Sequence, residues 1–316
     1  MTVLAIQQIR KMRGGAQSHL MLGADGNAWV VKFQNNPQHL RVLPNELLGT
    51  RLGALIGLTV PHCDVVEVTP WLIEQTKELE MDLGYRREPC QAGLQFGSQM
   101  VGGLMPGHVA DYLPEEQLLE VTNVKEFAGA LVLDKWTCNA NGRQALFYRK
   151  GRERRYRATF IDQGFCFNAA EWRFEDAPLR GTYVRNTVYR EVTGWESFEP
   201  WLSAMEGAPA QAIWEMAEVL PPAWYENDPS AVEQLVEKLL ERRSRVRDLI
   251  TEFRESSRNP FPKWNRKGAG REEAQYRERE DGDKVGGGGR GSSVGGEERG
   301  IVDGGEMGSG ASGRVM

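Results

Sequence analysis

Apolar positions in the first third of the chain come in short runs of the strand type. Ser18–Gly23 and Ala28–Phe33 are separated by Ala24-Asp25-Gly26-Asn27, and the Asp-Gly step inside that linker marks a tight hairpin. The period then changes. Across Asn45–Ile56 apolar residues recur at three- and four-residue spacing, which predicts a helix, and Gly57 stands where a C-terminal cap belongs. Val60–Val68 and Leu72–Glu74 are again β-rich, with Pro61 limiting pairing at the start of the first. Gly93–Val101 predicts one more strand, after which Gly102-Gly103 and Pro106-Gly107 read as a flexible join.

Beyond the join the pattern is mainly helical. Val124–Trp136 is apolar on nearly all sides, as a buried helix would be. Phe147–Tyr148 and Arg157–Ile161 flank a basic turn and predict a short hairpin. Ser230–Ser256 is a long amphipathic stretch behind Asp228-Pro229, a cap followed by a first-turn proline. Trp195, Trp201 and Trp214 are expected to pack this helical region. From Arg266 the aromatic and aliphatic residues thin out and tracts such as Gly286–Gly289 take over, a composition unable to offset the entropy of ordering it. The expected plan is therefore α+β and bilobal: a β-rich N-lobe at 1–101, a mainly helical C-lobe at 102–265 and a disordered tail at 266–316. A ligand would bind between the two lobes.

Composition narrows the class of function. The 316 residues are 40% hydrophobic and 26% charged, which suits a globular core. Charges arrive early in MTVLAIQQIRKMRGG, so no secretory leader is expected, and no apolar run approaches the length of a membrane helix. Cys63, Cys90, Cys138 and Cys166 make neither a disulfide framework nor a zinc cluster, and the expected address is the cytoplasm. A net charge of −5 speaks against nucleic acid as the partner. One local run, Arg149–Arg157, is strongly basic, as a solvated hairpin turn or as a patch for an anion.

Three stretches carry candidate chemistry. In Arg13-Gly14-Gly15-Ala16-Gln17-Ser18 the glycines let backbone amides approach an anion, although Gly-Gly before a strand is also an ordinary turn. Lys32 lies in the strand that follows this loop, and Glu46 opens the next helix. A lysine–glutamate pair of this kind aligns nucleotide phosphates, while alternation alone would leave Lys32 pointing outward. The third stretch runs from Asp134 through Asn139, Asn141, Gly142 and Arg143 to Asp162-Gln163-Gly164. Asp162, freed by a following glycine, suits a Mg²⁺ ligand, and Asn139 or Asn141 would add a neutral oxygen. Plain turn roles fit the same residues.

The order of these motifs resembles the HipA-like kinases, bacterial serine/threonine kinases distantly akin to phosphoinositide and protein kinases. The resemblance rests on the Gly-Gly-Ala-Gln loop, the strand lysine and Asn45-Glu46 leading to Gly57-Leu58-Thr59-Val60-Pro61. It continues through Trp136…Asn139-x-Asn141-Gly142-Arg143 and Ile161-Asp162-x-Gly164. It covers roughly residues 5–165 and is closer to compact HipA-like domain proteins than to the longer toxin kinases. It implies a protein-kinase-like fold in which Gly14, Gly15, Gln17 and Ser18 cover the ATP phosphates, Lys32 contacts them and Glu46 braces Lys32. Gly93–Val101, with Met100, would form the adenine-contacting hinge. Asp162 would hold Mg²⁺, joined by Asn139, and Asn141, Asp134 and Arg143 are the catalytic candidates. The implied partners are a protein substrate with a Ser/Thr hydroxyl and an antitoxin-like or regulatory protein. One departure matters. Asn141 stands where the family usually has the catalytic aspartate, and an amide cannot accept the substrate's proton. Asp134 is the substitute base, and a degenerate kinase that binds nucleotide or a partner without transfer is the alternative reading.

Overall fold

The passage from a strand-rich to a helix-rich region follows the change of hydrophobic period along the chain. In the computed structural model the described residues are 2–103, 108–149, 151 and 153–264. The expected tail at 266–316, residues 104–107 of the join, and Lys150 and Arg152 of the basic run lie outside the described residues. The chain begins with β1 (Val3–Lys11), β2 (His19–Gly23), β3 (Ala28–Lys32), the helix α1 (Val42–Leu55) and β4 (Cys63–Val68). There follow the short helix α2 (Pro70–Gln75), the hairpin β5 (Glu80–Asp82) and β6 (Arg87–Pro89), and β7 (Gly93–Gln99). Five of these strands close a barrel in the order β1-β2-β3-β7-β4, sealed by a parallel pairing of Val3 with Val66 and Leu4 with Glu67. Met21, Trp29, Val31, Phe33, Val66 and Val68 fill its interior.

The long strand β1 has no clear signature in the hydrophobic pattern, because irregularities between Ala5 and Gln7 and between Gln8 and Arg10 break its alternation. Leu72–Glu74, expected as strand, lies instead in α2. Thr69 caps that helix by accepting from the Leu72 N–H at 3.2 Å, and Pro70 occupies its first turn. Helix α1 begins at Val42, earlier than its periodicity indicates, and ends at Leu55, with Gly57 just past the cap at a φ of +85° that suits glycine.

The helical region opens with β8 (Val109–Ala110), α3 (Glu115–Leu119) and α4 (Glu126–Trp136). The strands β9 (Gln144–Tyr148) and β10 (Arg157–Ile161) pair antiparallel, with Ile161 opposite Gln144. After them come α5 (Trp201–Glu206), α6 (Ala210–Glu218), α7 (Pro229–Arg242) and α8 (Val246–Glu255). The expected single amphipathic stretch is thus two helices, parted by a 3-10 turn at Arg243–Arg245. Its cap is as expected, with Asp228 accepting from the Ala231 N–H at 3.2 Å.

Helix α4 is sunk in the main core, and Trp136 donates to the Leu239 carbonyl at 2.8 Å. Trp195, Trp201 and Trp214 pack in this same core. Helix α1 serves both cores: Val42, Leu43 and Leu47 meet Val65 and Phe96 of the barrel, while Leu48 and Leu52 belong to the helical core. Each such side chain contributes roughly 1.5–3 kcal/mol of burial. All four cysteines are buried and free. Among the described residues no helix is long and apolar enough to cross a membrane.

Candidate functional site

Three charged side chains far apart in sequence meet where the barrel, α1 and β10 adjoin. Lys32 is the last residue of β3, Glu46 lies on the first turns of α1, and Asp162 follows β10 directly. The Lys32 ammonium pairs with Glu46 Oε1 and, at 2.7 Å, with Asp162 Oδ1. Burial works against the lysine charge, but the two carboxylates outweigh it and hold Lys32 above its ordinary value. Burial likewise opposes the Asp162 charge, and the Lys32 cation holds that carboxyl below the usual range. For Glu46, burial lifts the carboxyl above its usual range against the pull of Lys32. Glu46 also accepts from the Gln163 N–H at 3.0 Å and the Gly164 N–H at 2.9 Å, contacts that suit its ionised form.

The backbone explains why Asp162 points here. It sits at φ +63°, so the chain leaves β10 through a left-handed turn. Gly164 suits the position two residues on, because a Cβ there would press on Glu46 Oε1 at 3.0 Å. The other Asp162 oxygen, Oδ2, receives the Gln144 carboxamide at 2.6 Å. Nothing in its sequence context singles out Gln144. Its one signal is register: as the first residue of β9 it pairs with Ile161, next to Asp162.

The glycine loop is shaped by backbone contacts. Gly14 has φ +119°, a conformation side chains disfavour. Ser18, nearly buried, closes the base of the loop by accepting the Met12 N–H at 2.7 Å. Asn36, in the linker after β3, donates to the Ala16 carbonyl at 3.0 Å, and Gly15 lies against Gln38. The Gln17 side chain is committed elsewhere: it bonds both the N–H and the carbonyl of Asp82 and receives Lys11 at 2.9 Å. It therefore ties the loop to the β5–β6 hairpin. Met100 follows β7 and donates its N–H to the Ala28 carbonyl at 2.8 Å. A cavity of about 400 Å³ opens at this exit, lined by Val101, Gly102, His108, Tyr148, Arg149 and Gly151.

The remaining expected residues separate into two groups. Asp134 does not face the cleft as a substitute base would. It is only 2% exposed, and its carboxylate clasps the Arg143 guanidinium. It also receives Asn139 Nδ2 at 2.8 Å. Asn139 spends its oxygen on the Asn141 N–H at 3.0 Å, so it does not join Asp162 as a metal ligand would. Arg143 reaches on to the Ile161 carbonyl at 3.0 Å, and its own charge is strengthened by Asp134 in spite of burial. The cause of this arrangement is the guanidinium: a buried cation needs a buried anion, and Asp134 is that anion. Asn141 alone of this set is exposed, with its side-chain oxygen accepting the Gly142 N–H at 2.8 Å.

The site can hold a divalent cation through oxygen. Asp162 offers a carboxylate, the hard donor Mg²⁺ prefers, and Gln144 meets it through its amide nitrogen, so a turn of that carboxamide would bring its oxygen to the same spot. Among the described residues no three His, Cys, Asp or Glu gather as a closed metal cage. That sparse donor set fits an ion that keeps water and phosphate ligands.

A family model described as HipA-like kinase matches residues 5–175. The Helicobacter pylori proinflammatory kinase CtkA is similar in structure over 81% of this chain and 99% of its own, with TM-score 0.53 and 12% identity. Golgi casein kinase with Mn/ADP bound matches over 81% of this chain and 73% of its own, with TM-score 0.47 and 12% identity. HipA of Shewanella oneidensis MR-1, solved with HipB and operator DNA, matches over 79% and 66%, with TM-score 0.44 and 14% identity. No match is found among curated proteins.

Proposed function

The chain belongs to the HipA-like kinase family, and from that premise we propose that it transfers the terminal phosphoryl group of ATP to a Ser or Thr hydroxyl of a protein, with Mg²⁺ as cofactor. The observation that carries the reading is the Lys32 ammonium held between Glu46 and Asp162. Glu46 keeps that cation aimed and charged, so it serves as a fixed anchor for phosphate oxygens. Gly14 and Gly15 bring backbone amides close to the same phosphates. The cavity beside Val101 and Gly102 has room for a purine next to the Met100 segment.

Asp162 and Gln144 would hold the metal, which when bound neutralises charge on the phosphate oxygens. Asn139 does not belong to that pair in this reading, and Asp134 and Arg143 act as the buried brace beneath the loop that carries Asn141. The Asn141 carboxamide orients the acceptor hydroxyl without taking its proton. That suffices for a loose transition state, where positioning and charge do most of the work.

The test is a nucleotide titration with and without Mg²⁺ on wild type, Lys32→Ala and Asp162→Ala, followed by transfer of labelled phosphate from ATP. Lys32→Ala is expected to weaken binding in both conditions, and Asp162→Ala to remove the gain that Mg²⁺ gives. Unchanged binding in both variants would refute the proposal. A second reading, a nucleotide-binding module without transfer, is favoured by Asn141. Lys32-dependent labelling of any protein excludes it.

A further inference from the structure

We infer that Asn45, next to Glu46 on α1, is a positioning residue that holds the Asp162 segment in its metal-binding shape; the inference rests on the kinase reading above. The segment from Asp162 to Trp172 carries five non-glycine residues in left-handed backbone: Asp162, Phe167, Asn168, Ala169 and Trp172, with φ between 50° and 63°. Such conformations persist only where the surroundings over-determine them. Much of that constraint comes from one side chain. The Asn45 carboxamide is fully buried, and its nitrogen shares two N–H groups among the carbonyls of Gly164 at 2.9 Å, Cys166 at 2.9 Å and Ala169 at 2.8 Å. Its oxygen accepts the indole N–H of Trp172 at 2.8 Å. The arc from Gly164 to Trp172 is thus tied at four points to one group.

The neighbouring residues repeat the pattern. His39 places Nε2 2.8 Å from the same Gly164 carbonyl and sets its ring edge-on to Phe165. Gly49, one helical turn after Asn45, has no room for a side chain: a Cβ would lie 2.8 Å from Gln163 Cβ and 3.2 Å from Cys166 Sγ. Helix α1 therefore presents acceptors to the segment through Glu46, donors through Asn45 and a flat contact through Gly49. Glutamine would be a methylene too long for a fully buried site, and aspartate would set a carboxylate against three carbonyl oxygens. Only asparagine supplies amide donors and an acceptor at this length. Because Gly164 lies two residues after Asp162, releasing its carbonyl lets the metal-binding carboxylate drift from Gln144.

The experiment measures binding of ADP by calorimetry, with and without Mg²⁺, on the full chain and on Asn45→Ala, Asn45→Asp and Trp172→Phe, with folding checked by circular dichroism. Outer partners of metal sites typically carry about 10–100-fold in metal affinity. The Mg²⁺-dependent gain is expected to fall by at least about tenfold in Asn45→Ala and Asn45→Asp, with metal-free ADP affinity changed less than about threefold. Trp172→Phe, which of the four Asn45 contacts removes the one to the carboxamide oxygen and keeps an aromatic ring in the core beneath Arg41, is expected to shift the gain in the same direction by less. Variants that stay folded with the full Mg²⁺ gain overturn the inference. So does an equal loss with and without metal, which marks a merely structural role. Should Asn45→Ala and Asn45→Asp fail to fold, an undiminished gain in Trp172→Phe overturns it. A wild type with no Mg²⁺-dependent ADP binding instead sinks the kinase reading, and this inference with it.

Discussion

Asn141 is the residue at which chemistry and position diverge. Its side-chain oxygen accepts the Gly142 N–H, a contact that needs only an acceptor and would survive a carboxylate in its place. Asn141→Asp should therefore keep the loop and add a proton acceptor. General bases contribute roughly 10²–10⁴-fold where proton transfer matters, and a loose transition state uses only a fraction of that. We expect about a tenfold rise in kcat and a new acidic limb in its pH profile, as the installed carboxylate loses its charge. An unchanged kcat would mean that the acceptor hydroxyl is oriented by another group. The polar residues of the cleft were legible as types in order, since Lys32, Glu46 and Asp162 each stand at the end of a recognisable element. Which acid turns inward was not legible. Asp134 is claimed by Arg143, nine residues later, and nothing in local periodicity announces that pairing.

Helix α4 contributes a second buried charge, Lys135, and it couples two elements. Its ammonium donates to the Pro178 carbonyl at 2.8 Å and to the Arg180 carbonyl, and lies 5.4 Å from the Phe253 ring of α8. Burial pushes its pKa down to about 8, with Asp134 resisting and Arg242 adding to the fall. The folded value lies below the unfolded one, so the unfolded chain holds more protons between pH 8 and about 10.5. Stability from this group therefore rises with pH across that window, by at most about 3 kcal/mol. Other groups titrate there too, so the check is a difference: denaturant unfolding of wild type and Lys135→Met from pH 7 to 10.5. The variant should lack this rising component. The same helix shows why element types were easier to anticipate than element ends. Val124–Trp136 is apolar enough to be helical in any context, yet the helix begins at Glu126. Glu126 accepts from the N–H and hydroxyl of Thr59, a distant contact that fixes the start.

At the scale of the molecule, α1 unites the barrel and the helical region into a single cooperative structure. Its Leu43 and Leu47 face the barrel, its Leu48 and Leu52 face the helical core, and its Asn45 and Glu46 hold the segment after β10. The β-then-helix plan was visible in the change of hydrophobic period. The closed barrel was not, because its sealing contact is a two-residue parallel pairing between strands about sixty positions apart, one of them irregular. A ligand touching Lys32 and Asp162 contacts both sides of this shared helix at once. Binding there opposes unfolding of the whole rather than of either region alone. At a concentration one hundred times its Kd, a ligand specific for the folded state adds about 2.7 kcal/mol. For a folded unit of this size that corresponds to a Tm rise of roughly 5 °C. Mg²⁺ with ADP should therefore shift a single calorimetric transition upward, and the shift should grow with the logarithm of ADP concentration. In Lys32→Ala the shift should vanish at the same concentrations. If two transitions separate and only one responds, α1 does not bind the two regions together as its packing requires.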